Sequence, residues 1–423
     1  MRRENQFFPI IAEGKSILEK RSEGRLKVKT IRYHNTSFPP KTLNWEKLLP
    51  LLGPAHAALA RYDSLLRMKT HLNLVQTTLE NREAVLSCRI ESITAKVSDV
   101  LTFEAGGSSS GDAQLRESIA AIINYRNALR AIGNIPGRMP VSKEMVCALH
   151  RMLFSGNHAP RHTPGQYRTK PMTVKMPEAA GEKAHFIPAA PESLPTGMNA
   201  LREFFRGNYL DTLVQIALFH MEFEALHPFA EGNDRLGRLL IPVVMWRKGL
   251  LSRPLFPCST VFERDPAGYY QALRCISSDN DMTRWCRFFL SAIQKQAEEN
   301  TGKALAILKL ANSVKGELPQ MTRAQYAPLV LDWIFKRPIF RATDFCQHAE
   351  LPEWTARRIL KHLVDGGILT TSTPQGGQHA FLYLFPALLD IADSSVPSNN
   401  VRLWRLHTRE ESQDGPQHVI TPV

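Results

Sequence analysis

Two apolar stretches of helical period, joined by a charged, glycine-bearing turn, constrain this chain more than any other feature. Residues 211–226, DTLVQIALFHMEFEAL, set Leu213, Ile216, Ala217 and Met221 at helical spacing behind Asp211, a good N-cap residue type. Residues 235–248 form a second apolar stretch, closed by Gly249, which suits the position just past a helix end. Between them runs HPFAEGNDRLGR, from His227 to Arg238. The pattern predicts a helix, a turn containing Pro228, Glu231, Gly232, Asn233 and Asp234, and a second helix beginning at Arg235. A helix N-terminus offers unpaired N–H groups and the positive end of its dipole, and successive turn amides form a nest for anions. Arg235 and Arg238 put two cations in the first turn of the second helix, where acids are normally favoured. Two cations there make most sense if an anion arrives to meet both.

The other residue types in this segment suit nucleotide chemistry. His227 can act as a neutral base near pH 7. Glu231 offers hard oxygen ligands to a Mg²⁺ ion carried by phosphates. Phe229, apolar inside a polar loop, is expected to plug into the core and fix that loop. The spacing resembles the Fic family motif, HxFx[D/E]GNGRxxR, with matches at His227, Phe229, Glu231, Gly232, Asn233, Arg235 and Arg238. Asp234 departs from it, because the family usually has a second glycine there. A capped helix–turn–helix with a solvated face would explain Gly232 and Asn233, but not both arginines and His227.

A net charge of +13 gives attraction to anions without choosing among nucleotide, nucleic acid and acidic protein. With 43% hydrophobic and 22% charged residues, the composition is that of an ordinary soluble protein. No apolar run approaches the roughly 18 residues of a membrane span, so no membrane partner is expected. The start, MRRENQFFPIIAEGKS, is interrupted by Glu4, Asn5 and Glu13, and reads as no secretory signal. Six scattered cysteines without a CxxC pair suggest reduced thiols in a cytoplasmic protein and argue against a structural zinc.

Along the chain, residues 1–35 read as a basic arm and 36–103 as an N-terminal helical region. Its first helix carries Leu48, Leu49, Leu52, Ala55 and Leu59 on one face. Val85, Cys88, Ile93 and Val97 form an apolar stripe further on, and Ser87 and Glu91 stand four apart inside it. That pair resembles the family's inhibitory signature, [S/T]xxxE[G/N], with Ser92 in place of the usual Gly or Asn; the bland reading is a solvated helix face. Residues 104–113 form a Gly/Ser loop, and 104–295 would be the catalytic core. Helices are expected at 115–132 and from Lys143, separated by a turn, GNIPGRMPVS. Two β-prone bits, Thr173–Lys175 and His185–Ile187, then lie in a proline-rich stretch that resembles the family's flap, with the target protein expected around 167–188. Tyr269 and Tyr270 open a later helix and either enter the core or pack on adenine.

A connecting helix is expected over 296–327, a winged helix-turn-helix over 328–392 and a polar tail over 393–423. Thr355, Arg357, Arg358 and Lys361 are candidates for a recognition helix, with DNA as a partner through 340–385. The expected class is therefore mainly α: a Fic-type helical core with a small β-hairpin flap and a C-terminal winged helix.

The resemblance implies a protein adenylyltransferase that moves AMP from ATP to a Tyr, Ser or Thr hydroxyl. His227 would be the base, and Glu231 the Mg²⁺ ligand. Gly232, Asn233, Asp234, Arg235 and Arg238 would hold the nucleotide, with Arg238 on the γ-phosphate. Ser87 and Glu91 would restrain the site, and a second copy of the chain is a further candidate partner. Asp234 is the difficulty, since a like-charge pair at about 4 Å costs about 4 kcal/mol at an effective dielectric near 20. Its carboxylate must point outward or help hold the metal, which leaves weak or altered nucleotide use open. The rival from another class is a DNA-binding regulator whose core binds nucleotide without catalysis.

Overall fold

The computed structural model describes residues 29–33, 38–106, 112–133, 141–156, 163–179, 182–279, 281–348, 351–372 and 381–394. Most of the basic arm and the polar tail, the middle of the Gly/Ser loop and most of the turn after residue 133 lie outside them. Strand β1 (Lys29–Arg32) is followed by two long helices, α1 (Trp45–Arg67) and α2 (Lys69–Ile90). Asn44 caps α1 by accepting from the Lys47 amide, and the expected face of Leu48, Ala55 and Leu59 is buried. Leu49, placed on that face by periodicity, is instead exposed. The apolar stripe expected to run through Val97 is broken at Ile90, and a separate helix α3 (Val97–Glu104) begins beyond it.

Helices α4 (Ala113–Gly133) and α5 (Lys143–Leu153) follow, the latter capped by Ser142. The flap is a hairpin of β2 (Val174–Ala179) and β3 (Glu182–Ile187). β1 pairs in parallel with β3, Ile31 opposite Phe186, so the sheet order is β1-β3-β2 and the N-terminal segment completes the flap. That long-range pairing is invisible in the local pattern.

The centre of the molecule is α7 (Thr212–Leu226) against α8 (Asn233–Arg247), preceded by α6 (Leu194–Arg206). Every residue of α7 from Leu213 onward is buried, as expected of a helix apolar nearly all round. Asp211 caps it by accepting from the Val214 amide, and Trp285 donates to the Ala217 carbonyl at 2.7 Å. α9 (Ser259–Arg264) and α10 (Pro266–Asp279) lead into α11 (Met282–Met321), a single helix of 40 residues. The boundary expected at residue 295 therefore falls inside a continuous helix, whose apolar stripe runs unbroken from Trp285 through Ile293 to Val314.

After α11 come α12 (Ala327–Lys336), β4 (Ile339–Arg341), α13 (Ala342–His348), α14 (Glu353–Asp365), β5 (Thr370–Ser372), β6 (Leu382–Leu384) and α15 (Pro386–Asp393). The three strands form an antiparallel sheet ordered β4-β6-β5. Of the recognition candidates on α14, Thr355 is buried, so it cannot reach a partner. Arg357 pairs with Glu353 on its own helix, and Arg358 lies over the Trp354 ring.

Candidate active site

The turn between α7 and α8 is built from two left-handed residues and one bracing amide. His227 ends α7 at φ 49°, ψ 62°, and its N–H closes back on the Phe223 carbonyl. Gly232 caps α8 at φ 74°, and a Cβ there would approach the Phe154 ring to 2.8 Å, so only glycine fits on both counts. Phe229 is fully buried, as expected, with the His150 ring stacked on it at 3.9 Å between centroids.

Asn233 is already the first residue of α8, which starts two residues earlier than expected. Its side chain accepts from the Phe229 amide and donates to the Phe229 carbonyl, at 2.9 and 2.8 Å. It thus clamps the turn. Asp234 sits in the first helical turn with ordinary helical backbone; among described non-glycine residues only Ser92 and His227 have positive φ. Loss of the family glycine at residue 234 therefore strains no backbone, and an acid at this end of a helix meets a favourable dipole.

Three buried side chains that sequence reasoning missed surround the turn. Arg168 donates to the carbonyls of His227 at 2.8 Å, Leu226 at 3.2 Å, Lys170 at 3.3 Å and Ala189. His150 Nε2–H donates to the Glu231 carbonyl at 2.9 Å while its Nδ1 accepts from the Gly165 amide. Burial lowers the His150 pKa to about 4, so the ring stays neutral. Glu224, one turn before His227, is buried beside Gly237, whose lack of a side chain makes room for its carboxyl: a Cβ would meet Oε1 at 2.0 Å. Burial pushes that carboxyl well above the usual range, and Asp234 beside it pushes the same way. None of the three belongs to a periodic or capping pattern, which is why the chain alone did not reveal them.

His227 is 6% exposed, and burial lowers its pKa from the ordinary imidazole value. Its Nδ1 lies 3.4 Å from the Glu224 carbonyl, which can only accept, so Nδ1 carries the proton and Nε2 keeps its lone pair. Tyr269, one of the two aromatic candidates, is fully buried and donates its hydroxyl to His220 Nε2 at 2.8 Å; it belongs to the core.

At the other end of the site stands the charge cluster. Arg238 is completely buried. Its Nε donates to Ser87 Oγ at 2.9 Å, and its Nη2 to the Ser87 carbonyl at 2.9 Å and to Glu91 Oε1 at 2.8 Å. Arg235 Nε donates to the other oxygen of Glu91 at 3.0 Å. One carboxylate thus engages both arginines of the motif. Glu91 is the residue just past α2 rather than part of it. Ser92 follows at φ 63°, with Ser92 N–H bonded to the Arg89 carbonyl and Ile93 N–H to the Cys88 carbonyl. This is a Schellman end, which places Glu91 at the turn and calls for a left-handed residue after it. Upstream, Glu83 pins α2 to the start of α9, accepting from the amides of Cys258 and Ser259 at 2.9 Å and from the Ser259 hydroxyl at 2.6 Å.

Two family models match this chain. The Fic/DOC family model matches residues 140–245, and the Fic/DOC family N-terminal model matches residues 49–131. Residues 140–245 thus carry a Fic/DOC domain. That domain holds the His227–Arg238 turn, and the N-terminal match carries Ser87 and Glu91. Among curated relatives, a protein adenylyltransferase Fic of Nematostella vectensis is 28% identical over 146 residues, 34% of this chain and 30% of that protein. A probable protein adenylyltransferase of Aquifex aeolicus is 27% identical over 113 residues, 26% of this chain and 32% of that one. The chain thus spans about a third of the length of the curated relatives it matches. A crystal structure of a Fic family protein from Desulfovibrio desulfuricans G20 shares the fold, with a TM-score of 0.52 at 21% identity over 82% of this chain and 98% of that one. Among the described residues no helix is long and apolar enough to cross a membrane.

Proposed function

We propose that this chain is a protein adenylyltransferase, transferring AMP from ATP to a Tyr, Ser or Thr hydroxyl of a target protein, and that Glu91 restrains it at rest. The observation that carries the reading is the double engagement of Glu91 by Arg235 and Arg238 at the start of α8, opposite a neutral His227. Two converging guanidinium groups at a helix N-terminus suit a polyphosphate. Arg238 Nη1 is buried without a partner among the described residues, a donor left for an incoming oxygen.

In this reading the phosphates of ATP meet the first-turn N–H groups of α8, which have no intrahelical acceptor. Glu231 fits the expected Mg²⁺: its Oε1 is buried and has no hydrogen-bond partner among the described residues, and its backbone is fixed by His150. When bound, that ion would neutralise charge on the phosphates. Asn233 serves by holding the turn, and Arg235 and Arg238 orient the phosphates. His227 Nε2 takes the proton of the target hydroxyl as its oxygen attacks the α-phosphorus. The bond to the β-phosphate oxygen breaks, and pyrophosphate leaves. A target segment would add to the flap along β2, because β3 already has β1 on one side and β2 on the other.

While Glu91 holds Arg238, the γ-phosphate has no guanidinium to meet, and ATP settles with its α-phosphorus out of line. The experiment is incubation of the purified chain with labelled ATP and Mg²⁺, read by mass spectrometry for attached AMP. Glu91→Gly should label itself more than wild type, and the Glu91→Gly, His227→Ala double variant should not. Absence of label in Glu91→Gly despite bound ATP would remove the reading.

A further inference from the structure

Beside the base, a second feature of the site has no role in that scheme. Glu224, His227 and Asp234 each present one ligand-type atom, and the three atoms lie within 4.8 Å of one another. Glu224 is 6% exposed, and its Oε1 is buried with no hydrogen-bond partner among the described residues. The nearest basic group, His220 Nε2, is 3.8 Å away and already accepts from the Tyr269 hydroxyl. His220 Nδ1 faces the Gly237 carbonyl at 3.2 Å and so holds the ring's only proton. His220 therefore cannot donate to Glu224. What faces Glu224 is the second carboxyl of Asp234, and two carboxylates this close need a proton or a cation between them. The unprotonated nitrogen of His227 supplies what a shared proton would not need: a third ligand of metal-binding type.

We propose that Glu224, His227 and Asp234 form a site for a divalent transition-metal cation of the zinc class. One imidazole and two carboxylates, with coordination positions left open, match the ligand preference of such ions. Ligands at about 2.0–2.2 Å from zinc stand about 3–4 Å apart, so side-chain shifts of under about 1 Å close the site. The donor set is distinct from Glu231, the residue assigned to the magnesium of ATP. It depends on Asp234, the position at which this chain departs from the family motif; with glycine there only Glu224 and His227 remain. A metal on His227 Nε2 would occupy the lone pair that takes the hydroxyl proton, so metal and transfer compete. That consequence rests on the proposed function; the binding itself does not.

The test is titration of the nucleotide-free full chain with ZnCl₂, followed by calorimetry and by metal analysis after dialysis. Wild type should bind one ion per chain at this site, and Co²⁺ should give visible absorption bands of a bound ion. Glu224→Gln and Asp234→Gly should each weaken that binding at least tenfold. Asp234→Gly alters a partly exposed first-turn residue, so it decides the matter if Glu224→Gln does not fold. A wild type that takes up no zinc, or variants that bind as tightly as wild type, would overturn the site. If zinc binds as expected yet leaves AMP transfer unaffected, the metal site stands and the role of His227 as base falls.

Discussion

The two ends of the motif turn are held by different means. The His227 end is fixed by its own surroundings: helix α7 buried on nearly all sides, Arg168 gripping four backbone carbonyls, and the Asn233 clamp on Phe229. The Arg238 end is held by groups from a different helix, Ser87 and Glu91 on or just after α2. Every bond at the first end ties neutral or backbone acceptors that no ligand would displace. At the second, the central contact is a carboxylate on guanidinium, which a phosphate can replace in kind. On the proposed function, the difference separates a preset reaction centre from a replaceable plug. A site organised this way can stay folded while shut.

That comparison can be broken most sharply at His227. On the proposed mechanism His227→Ala should lower AMP transfer by about 10²–10⁴ while ATP affinity changes little. Turnover within a few-fold of wild type, in single-turnover assays, would show that the preset end is not the reacting one.

Removing the plug should cost stability where it gains activity. Glu91→Gly leaves two motif arginines without their shared partner, and breaking a buried pair costs about 3 kcal/mol at the low end of the usual range. The variant should melt earlier than wild type and recover more on adding Mg-ATP, because the γ-phosphate replaces the lost carboxylate. ADP should restore less. Equal ATP stabilisation of both proteins in thermal unfolding would contradict the replacement.

Acid should attack the preset end. Burial lowers the pKa of His150 to about 4 and of His220 to about 3, from 6.5 in the unfolded chain. Between those values the unfolded state binds protons that the folded state refuses, so stability is full above about pH 6.5 and falls as pH drops. His150 alone should account for about 3 kcal/mol lost between pH 6.5 and 4. Chemical unfolding at a series of pH values tests this, and His150→Gln should flatten the slope; an unchanged slope would exclude the histidine.

The smallest expected effect concerns the turn that presents the plug. Ser92 holds φ 63°, a conformation that costs an ordinary residue about 1–2 kcal/mol. Ser92→Gly should therefore raise stability by about 1 kcal/mol in urea unfolding. A loss instead would mean that the Ser92 side chain contributes something its backbone does not reveal.

Local chemistry carried much of this protein. The periods of α7 and α8, the Asp211 cap and the burial of Phe229 follow from residue type and spacing along one or two helices, while the approach of Glu91 to Arg238 follows from the resemblance to the family's inhibitory signature. Spacing alone cannot say which of several adjacent turn residues takes the positive φ; Gly232 does, and Asp234 does not.

Tertiary structure decided the rest, because most remaining features join residues far apart in the chain that no period links. Strand β1 completing the flap, Arg168 reaching the carbonyl of His227, and Glu83 anchoring α2 to Ser259 are of this kind. Glu224 and Asp234 are near in the chain, yet only the folding of α7 back along α8 brings their side chains together. A charge pair such as Glu91 with Arg238 announces itself because each partner needs an opposite. A buried carboxyl beside another carboxyl violates that expectation, and only the packed chain can impose it.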